Sequence, residues 1–285
     1  IEIVGENDGR LDNGDYVLFY AMGSENVTFD ETNGLYSVEK NIYSDSSFYF
    51  IVINDQTGER ISKTPSVQNA EYQSTSFNAY AHYENDLQAS FLGRSGVTSS
   101  IVFNTDGQSF KKNISSVNIS EVEATYARYA NISSYFNPKT LSLSVKYNPT
   151  PRLSEGWLDY VTLNFYLDYN MKNVNQRIIS DVATLQYPTS YFNLFNTSSN
   201  DEVWDITDIF NPKRMQADFA NGESKIGFNS STLRKFIAFN PITHIYIPEA
   251  IGRIENQNLH AINDVDEILK LITDAAKINN EDFQG

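Results

Sequence analysis

The chain contains no cysteine in its 285 residues. A cysteine nucleophile, a thiolate metal site, an iron–sulfur cluster and a disulfide framework are therefore excluded. Positive charge is scarce: 21 Lys and Arg stand against 36 Asp and Glu, a formal net charge of −15. Such a surface repels phosphate backbones and no Lys/Arg cluster offsets it, so nucleic acid is set aside as a partner. No apolar run approaches the roughly 18 residues that a membrane-spanning helix needs. The chain opens at Ile1 without the charged and apolar regions of a signal peptide, so export is inferred and not seen. A chain without disulfides relies on its core alone, a style that fits large bacterial surface proteins, and an extracytoplasmic location is expected.

What the chain has in quantity is aromatic: 18 Tyr and 18 Phe. Aromatic and β-branched side chains fit a pleated, half-buried surface, so sheet is expected throughout. Short runs bounded by Gly, Asn, Asp or Pro read as strands, namely YVLFY (Tyr16 to Tyr20), FYFIVI (Phe48 to Ile53), LSLSVKY (Leu141 to Tyr147) and VTLNFYL (Val161 to Leu167). FYFIVI is apolar throughout and suits a strand covered on both faces. The polar stretch from Gln56 to Thr75 reads as a linker, and the segments Asn104 to Ser116 and Asn193 to Asp201 read as polar insertions. Only Asp264 to Ile278 has helical spacing, through Val265, Ile268, Leu269, Ile272 and Ala276. The expected fold is all-β: an amino-terminal β domain over residues 1–60, a β-sandwich over 77–250, and a connecting segment 251–285 whose short helix leads to an absent domain.

Three groups of residues carry candidate chemistry. The loop from Glu6 to Asp15 concentrates Glu6, Asp8, Asp12 and Asp15 around Gly9 and Gly14. Ca²⁺ takes several oxygen ligands from a chain able to curl, and glycine permits the curl. The spacing is not that of an EF-hand, and a solvated turn entering a strand explains the same residues. His82, His244 and His260 sit in unlike surroundings without a metal-ligand spacing, and there is no G-x-S-x-G nucleophile elbow. Trp157 and Trp204 could stack on sugar rings, although their neighbours GWLDYVTLN and VWDITD point to packing. Six Asn-x-Ser/Thr sequons begin at Asn26, Asn113, Asn118, Asn131, Asn196 and Asn229.

Five runs, in order, resemble the amino-terminal, non-catalytic region of the PorU family of gingipain-like sortases of the type IX secretion system in Bacteroidetes. They are GENDGRLDNGDYVLFYAMG, YSVEKNIYSDSSFYF, GWLDYVTLNF, VWDITDIFNP and ENQNLHAI. The resemblance implies a cell-surface or outer-membrane protein in which β-rich domains precede a cysteine-peptidase domain. That domain removes the sorting signal of secreted cargo and joins the cargo to anionic lipopolysaccharide. Its catalytic Cys and His have no counterpart here, so no catalytic residue is carried over, and the chain looks truncated at both ends.

Three functions follow as alternatives. The first is a non-catalytic β module that braces a downstream peptidase domain or receives type IX cargo and outer-membrane components. The second is a carbohydrate- or surface-binding sandwich acting alone in the manner of an adhesin. The third is a serine- or carboxylate-based hydrolase, which needs two catalytic groups within hydrogen-bond reach in one cleft.

Overall fold

The computed structural model describes residues 1–252 except 11, 33, 40, 42, 52–57, 84–87, 106–107, 122–124, 134–142, 150–153 and 244. For residues 80–83, 88–89, 105, 133 and 143 it describes the backbone alone. Residues Ile1–Ile245 form one compact unit, and Tyr246–Gly285 form a second whose described part, 246–252, has no regular secondary structure. The helix expected over Asp264 to Ile278 lies outside the described residues.

The fold is all-β, as the aromatic composition implied. Among the described residues the only helical elements are two 3-10 turns, Glu6–Asp8 and Val182–Gln186. The chain opens with two hairpins, β1 (Glu2–Val4) with β2 (Tyr16–Leu18) and β3 (Asn26–Asp30) with β4 (Leu35–Glu39). Short strands β5 (Ser62–Pro65) and β6 (Tyr72–Gln73) follow. Next come β7 (Phe77–Tyr83), β8 (Gln88–Arg94), β9 (Ser99–Thr105), β10 (Gln108–Ile114), β11 (Arg128–Ser133), β12 (Leu143–Asn148) and the long β13 (Glu155–Leu167). The last group is β14 (Gln176–Ile179), β15 (Thr189–Phe195), β16 (Glu202–Asp205), β17 (Lys213–Gln216), β18 (Asp218–Ala220), β19 (Glu223–Asn229) and β20 (Phe236–Phe239).

Two sandwiches result. In the first, the sheet β11-β8-β13-β7 faces β10-β9-β12 across a core of Phe91, Ile101, Phe103, Ile114, Ala130, Ile132 and Val161. Gly93 and Gly156 are direct partners on β8 and β13, and their missing side chains leave room for the core. A Cβ on Gly156 would stand 2.6 Å from the Phe91 ring, and one on Gly93 2.8 Å from Ile114. In the second sandwich, β14-β20-β16-β17-β5 faces β18-β19-β15-β6. Its core centres on Phe192, whose ring stacks on Tyr169 at 4.9 Å and meets Phe228 and Phe236 at a tilt. Strand β13 belongs to both, with Leu158 and Val161 in the first core and Phe165 and Leu167 against the second.

Strand β20 (FIAF) is buried on both faces. Phe236 and Ala238 enter the second sandwich, while Ile237 and Phe239 join Trp204, Ile206 and Leu18 in a third cluster that the β1–β2 hairpin covers. The β3–β4 hairpin is held by side-chain amides. Asn164 of β13 accepts from the Tyr36 N–H at 2.6 Å and donates to its carbonyl at 3.0 Å, so one side chain imitates a neighbouring strand. Asn78 donates to the Gly34 carbonyl at 2.9 Å.

Three local readings need correction. Phe48 to Ile51 form no strand and are exposed; a doubly covered strand is instead β20, where layers lie on both sides. The polar stretch from Gln56 to Thr75 is not strand-free: β5 pairs in parallel with β17, and β6 with β15. Edge strands need a backbone ladder on one side only, so their side chains can stay polar. The segment from Asn104 to Ser116 is largely the β9–β10 hairpin, whose edge strand carries the exposed Lys111 and Lys112.

Candidate functional site

The four acidic residues follow one another along the first loop, and the carboxylates of three of them, Glu6, Asp8 and Asp15, are bonded to separate partners. Gly5 and Gly9, both left-handed at φ 98° and 73°, bracket the 3-10 turn Glu6–Asp8. The Glu6 carboxylate accepts from Arg60 Nε at 2.8 Å, Asp8 from the Arg10 N–H at 3.0 Å, and Asp15 from the Asp12 N–H at 2.7 Å. Among the described residues no group of three or more His, Asp or Glu stands close enough to share a cation. These are the local backbone bonds that Asp favours at turns.

His82 lies on β7, and His244 and His260 lie outside the described residues. The six sequon asparagines are all exposed. In two of them the third residue has a structural use: Asn118 accepts from the Ser120 N–H and hydroxyl, and Asn229 does the same with Ser231. The sequon pattern there coincides with an Asx turn.

A buried polar knot is the feature that sequence reading missed. Ser74 Oγ donates to Asp181 Oδ2 at 2.7 Å and hydrogen-bonds the Tyr169 hydroxyl, while Asp181 Oδ1 accepts from the Ala183 N–H at 3.0 Å and caps the second 3-10 turn. Burial pushes the Asp181 carboxyl above its ordinary range, against the opposing hydrogen bonds from Ser74 and Ala183. Burial likewise raises the Tyr169 phenol, and the Ser74 bond only partly offsets it. All three residues are buried, so the Ser–Asp pair offers no approach to a substrate and acts as a pin between strands. An Asp immediately ahead of VATLQ is the one signal of it in the sequence.

Arg214 on β17 organises the second charged group. It pairs with Glu2 at 2.5 Å and with Glu202 at 2.9 Å, and Glu202 also accepts from the Trp204 indole at 2.8 Å. Burial raises the Glu202 carboxyl, with the Trp204 bond and Arg214 acting in the opposite sense. A polar cleft of about 240 Å³ beside it is lined by Lys63, Asp201, Glu202 and Arg214, so its charges balance. Ser198 at its rim donates to Asp201 at 3.1 Å, and no histidine lines the cleft to activate it. Among the described residues this arrangement lacks the nucleophile and base that a hydrolase requires.

The two tryptophans part company. Trp204 is sealed in the third cluster at 2 % exposure, edge-on to Phe239 at 5.2 Å. Trp157, on the first sandwich, remains 42 % exposed with the Tyr126 ring 6.2 Å away, and the Arg94 guanidinium lies 4.5 Å over Tyr126. Arg94 also pairs with Glu155 at 3.5 Å.

No family model and no curated protein matches the chain. Among solved structures, the chain is similar to dimeric latent PorU from Porphyromonas gingivalis, with a TM-score of 0.62 and 14 % sequence identity. The likeness covers 93 % of this chain and 29 % of that one, and it shows a PorU-like fold.

Proposed function

We propose that this chain is a non-catalytic β module of a cell-surface, gingipain-like sortase of the type IX secretion system. In this reading it lies outside the cytoplasm and braces a peptidase domain or receives cargo and outer-membrane components. The fold carries the reading, since a PorU-like arrangement runs along 93 % of the chain. Two further features support it. No cysteine is available as a thiolate nucleophile. Phe48, Tyr49, Phe50 and Ile51 form an exposed apolar run without strand pairing, a surface of the kind that a second domain covers.

The test is to mix the purified chain with the peptidase domain of the same gene and measure association by calorimetry. Micromolar binding that weakens on replacing Phe50 and Ile51 with serine is expected, with no cleavage of a generic peptide by the chain alone. Cleavage that resists thiol-blocking reagents would overturn the non-catalytic assignment, and no association at high micromolar concentration would remove the bracing role. The alternative of a carbohydrate- or surface-binding sandwich is favoured by one observation, the exposure of Trp157 beside Tyr126.

A further inference from the structure

The sheet β11-β8-β13-β7 uses one face for the core of the first sandwich. Phe91, Ala130 and Leu158 point into that core, and strand alternation sends their neighbours Leu92, Tyr129 and Trp157 to the opposite face. Register makes these neighbours a row: Tyr129 is the direct partner of Leu92, and Leu92 of Trp157. Directly paired residues leave a sheet on the same side. Tyr129 is 65 % exposed and Trp157 42 %, and Tyr126 beside the row is 63 % exposed, so three aromatic rings face water here. Exposed rings gathered side by side forgo the stabilisation that burial would give, and a patch of this kind marks a binding surface.

We propose that this face binds a neutral oligosaccharide, which lies across the strands with its sugar rings on Trp157 and Tyr129. Aromatic faces carry negative quadrupole charge and attract the polarised C–H groups on the apolar side of a pyranose. Tyr129 and Trp157 are two strand spacings apart, about 10 Å, close to the length of two linked sugar rings. The hydroxyl groups around such a ring need donors and acceptors at the border of the platform. Arg94 and Glu155 supply both, Arg94 being oriented by Tyr126 and by the ion pair. Charge decides the class of ligand. The only cation described at the platform is matched by Glu155, and the chain as a whole carries −15, so the face is neutral in a repulsive field for polyanions. A row that crosses three strands suits an extended chain of sugars more than a compact small molecule. This inference is independent of the bracing role.

The two tryptophans make the test specific, because only Trp157 is accessible to a quencher. The chain is titrated with gluco-, manno- and xylo-oligosaccharides while acrylamide quenching of tryptophan fluorescence is followed, with calorimetry in parallel. Protection of the quenchable component by at least one neutral series is expected. Trp157→Ala should weaken that binding by roughly tenfold or more, with an unchanged thermal midpoint, and Trp204→Phe should leave affinity intact. The proposal is overturned if no neutral oligosaccharide protects Trp157, or if binding survives the Trp157→Ala, Tyr129→Ala double variant. It is equally overturned if sedimentation shows that self-association alone covers the tryptophan.

Discussion

Replacing Gly227 with alanine tests how firmly the polar segment around Val67 is built into the second sandwich. A Cβ at position 227 would lie 2.0 Å from the Val67 carbonyl oxygen and 3.0 Å from its carbon, and both are backbone atoms that no rotamer change can move. The same approach is what permits Val67 N–H to donate to the Gly227 carbonyl at 2.9 Å and Gly227 N–H to donate to Ser66 Oγ at 2.8 Å. Overpacking costs about 1–3 kcal/mol, and two lost hydrogen bonds add about 1 kcal/mol each. A total of roughly 3–5 kcal/mol is expected, a large share of the roughly 5–15 kcal/mol that holds a typical fold. At about 2–4 °C per kcal/mol for a unit of this size, the melting temperature should drop by roughly 6–20 °C. Calorimetric melting is the assay, with limited proteolysis to show early cutting between residues 60 and 73. Gly9→Ala is the control: φ is +73° with no neighbour within 4 Å, so it costs about 1–2 kcal/mol of left-handed strain and nothing more. A Gly227→Ala protein that melts within about 2 °C of the parent, or above the Gly9→Ala control, would refute the reasoning.

Asp181→Asn should alter the pH dependence of stability. The folded carboxyl titrates above its unfolded value of 3.8, so the parent loses stability as pH rises from there through the folded value. The asparagine variant should therefore gain on the parent as the pH is raised above 3.8 in urea titrations; a constant difference would deny the burial effect. Asn164→Ala removes both bonds to Tyr36 and should cost about 2 kcal/mol, with faster amide exchange at Tyr36 as the specific sign. Millimolar Ca²⁺ should leave the melting temperature of the chelated protein unchanged, because Glu6, Asp8 and Asp15 are bonded to separate partners. A rise of several degrees would support the calcium reading.

The class of the fold was legible because it depends on composition and on period-two runs: Tyr16–Leu18, Leu143–Asn148 and Glu155–Leu167 are strands where such runs occur. What stayed hidden depends on partners far along the chain. FYFIVI and FIAF are equally apolar, and only the layers around the second make it a buried strand. SKTP lacks a strand pattern and still pairs with β17, because an edge needs only backbone. The polar residue within VTLNFYL was equally opaque, since Asn164 finds its use only when Tyr36 arrives beside it. At the candidate surface, the spacing around Trp157 suggested packing. Its exposure follows from the opposite parity of Leu158, which a bulge after that residue disguises in the sequence.

The parallel pairing of β5 and β6 constrains the order in which the molecule can assemble. Their partners, Lys213–Gln216 and Thr189–Phe195, are made more than a hundred residues later, as are Trp204, Ile237 and Arg214, on which the β1–β2 hairpin and Glu2 depend. Contacts this distant in sequence close slowly, since the loop entropy must be overcome before any contact rewards it. As the chain emerges amino terminus first, β5, β6 and the β1–β2 hairpin have no partners outside themselves to join until the later strands exist. Synthesis and assembly thus run in opposite directions: the first residues made are the last to be fastened, and they close over the second sandwich as a clasp.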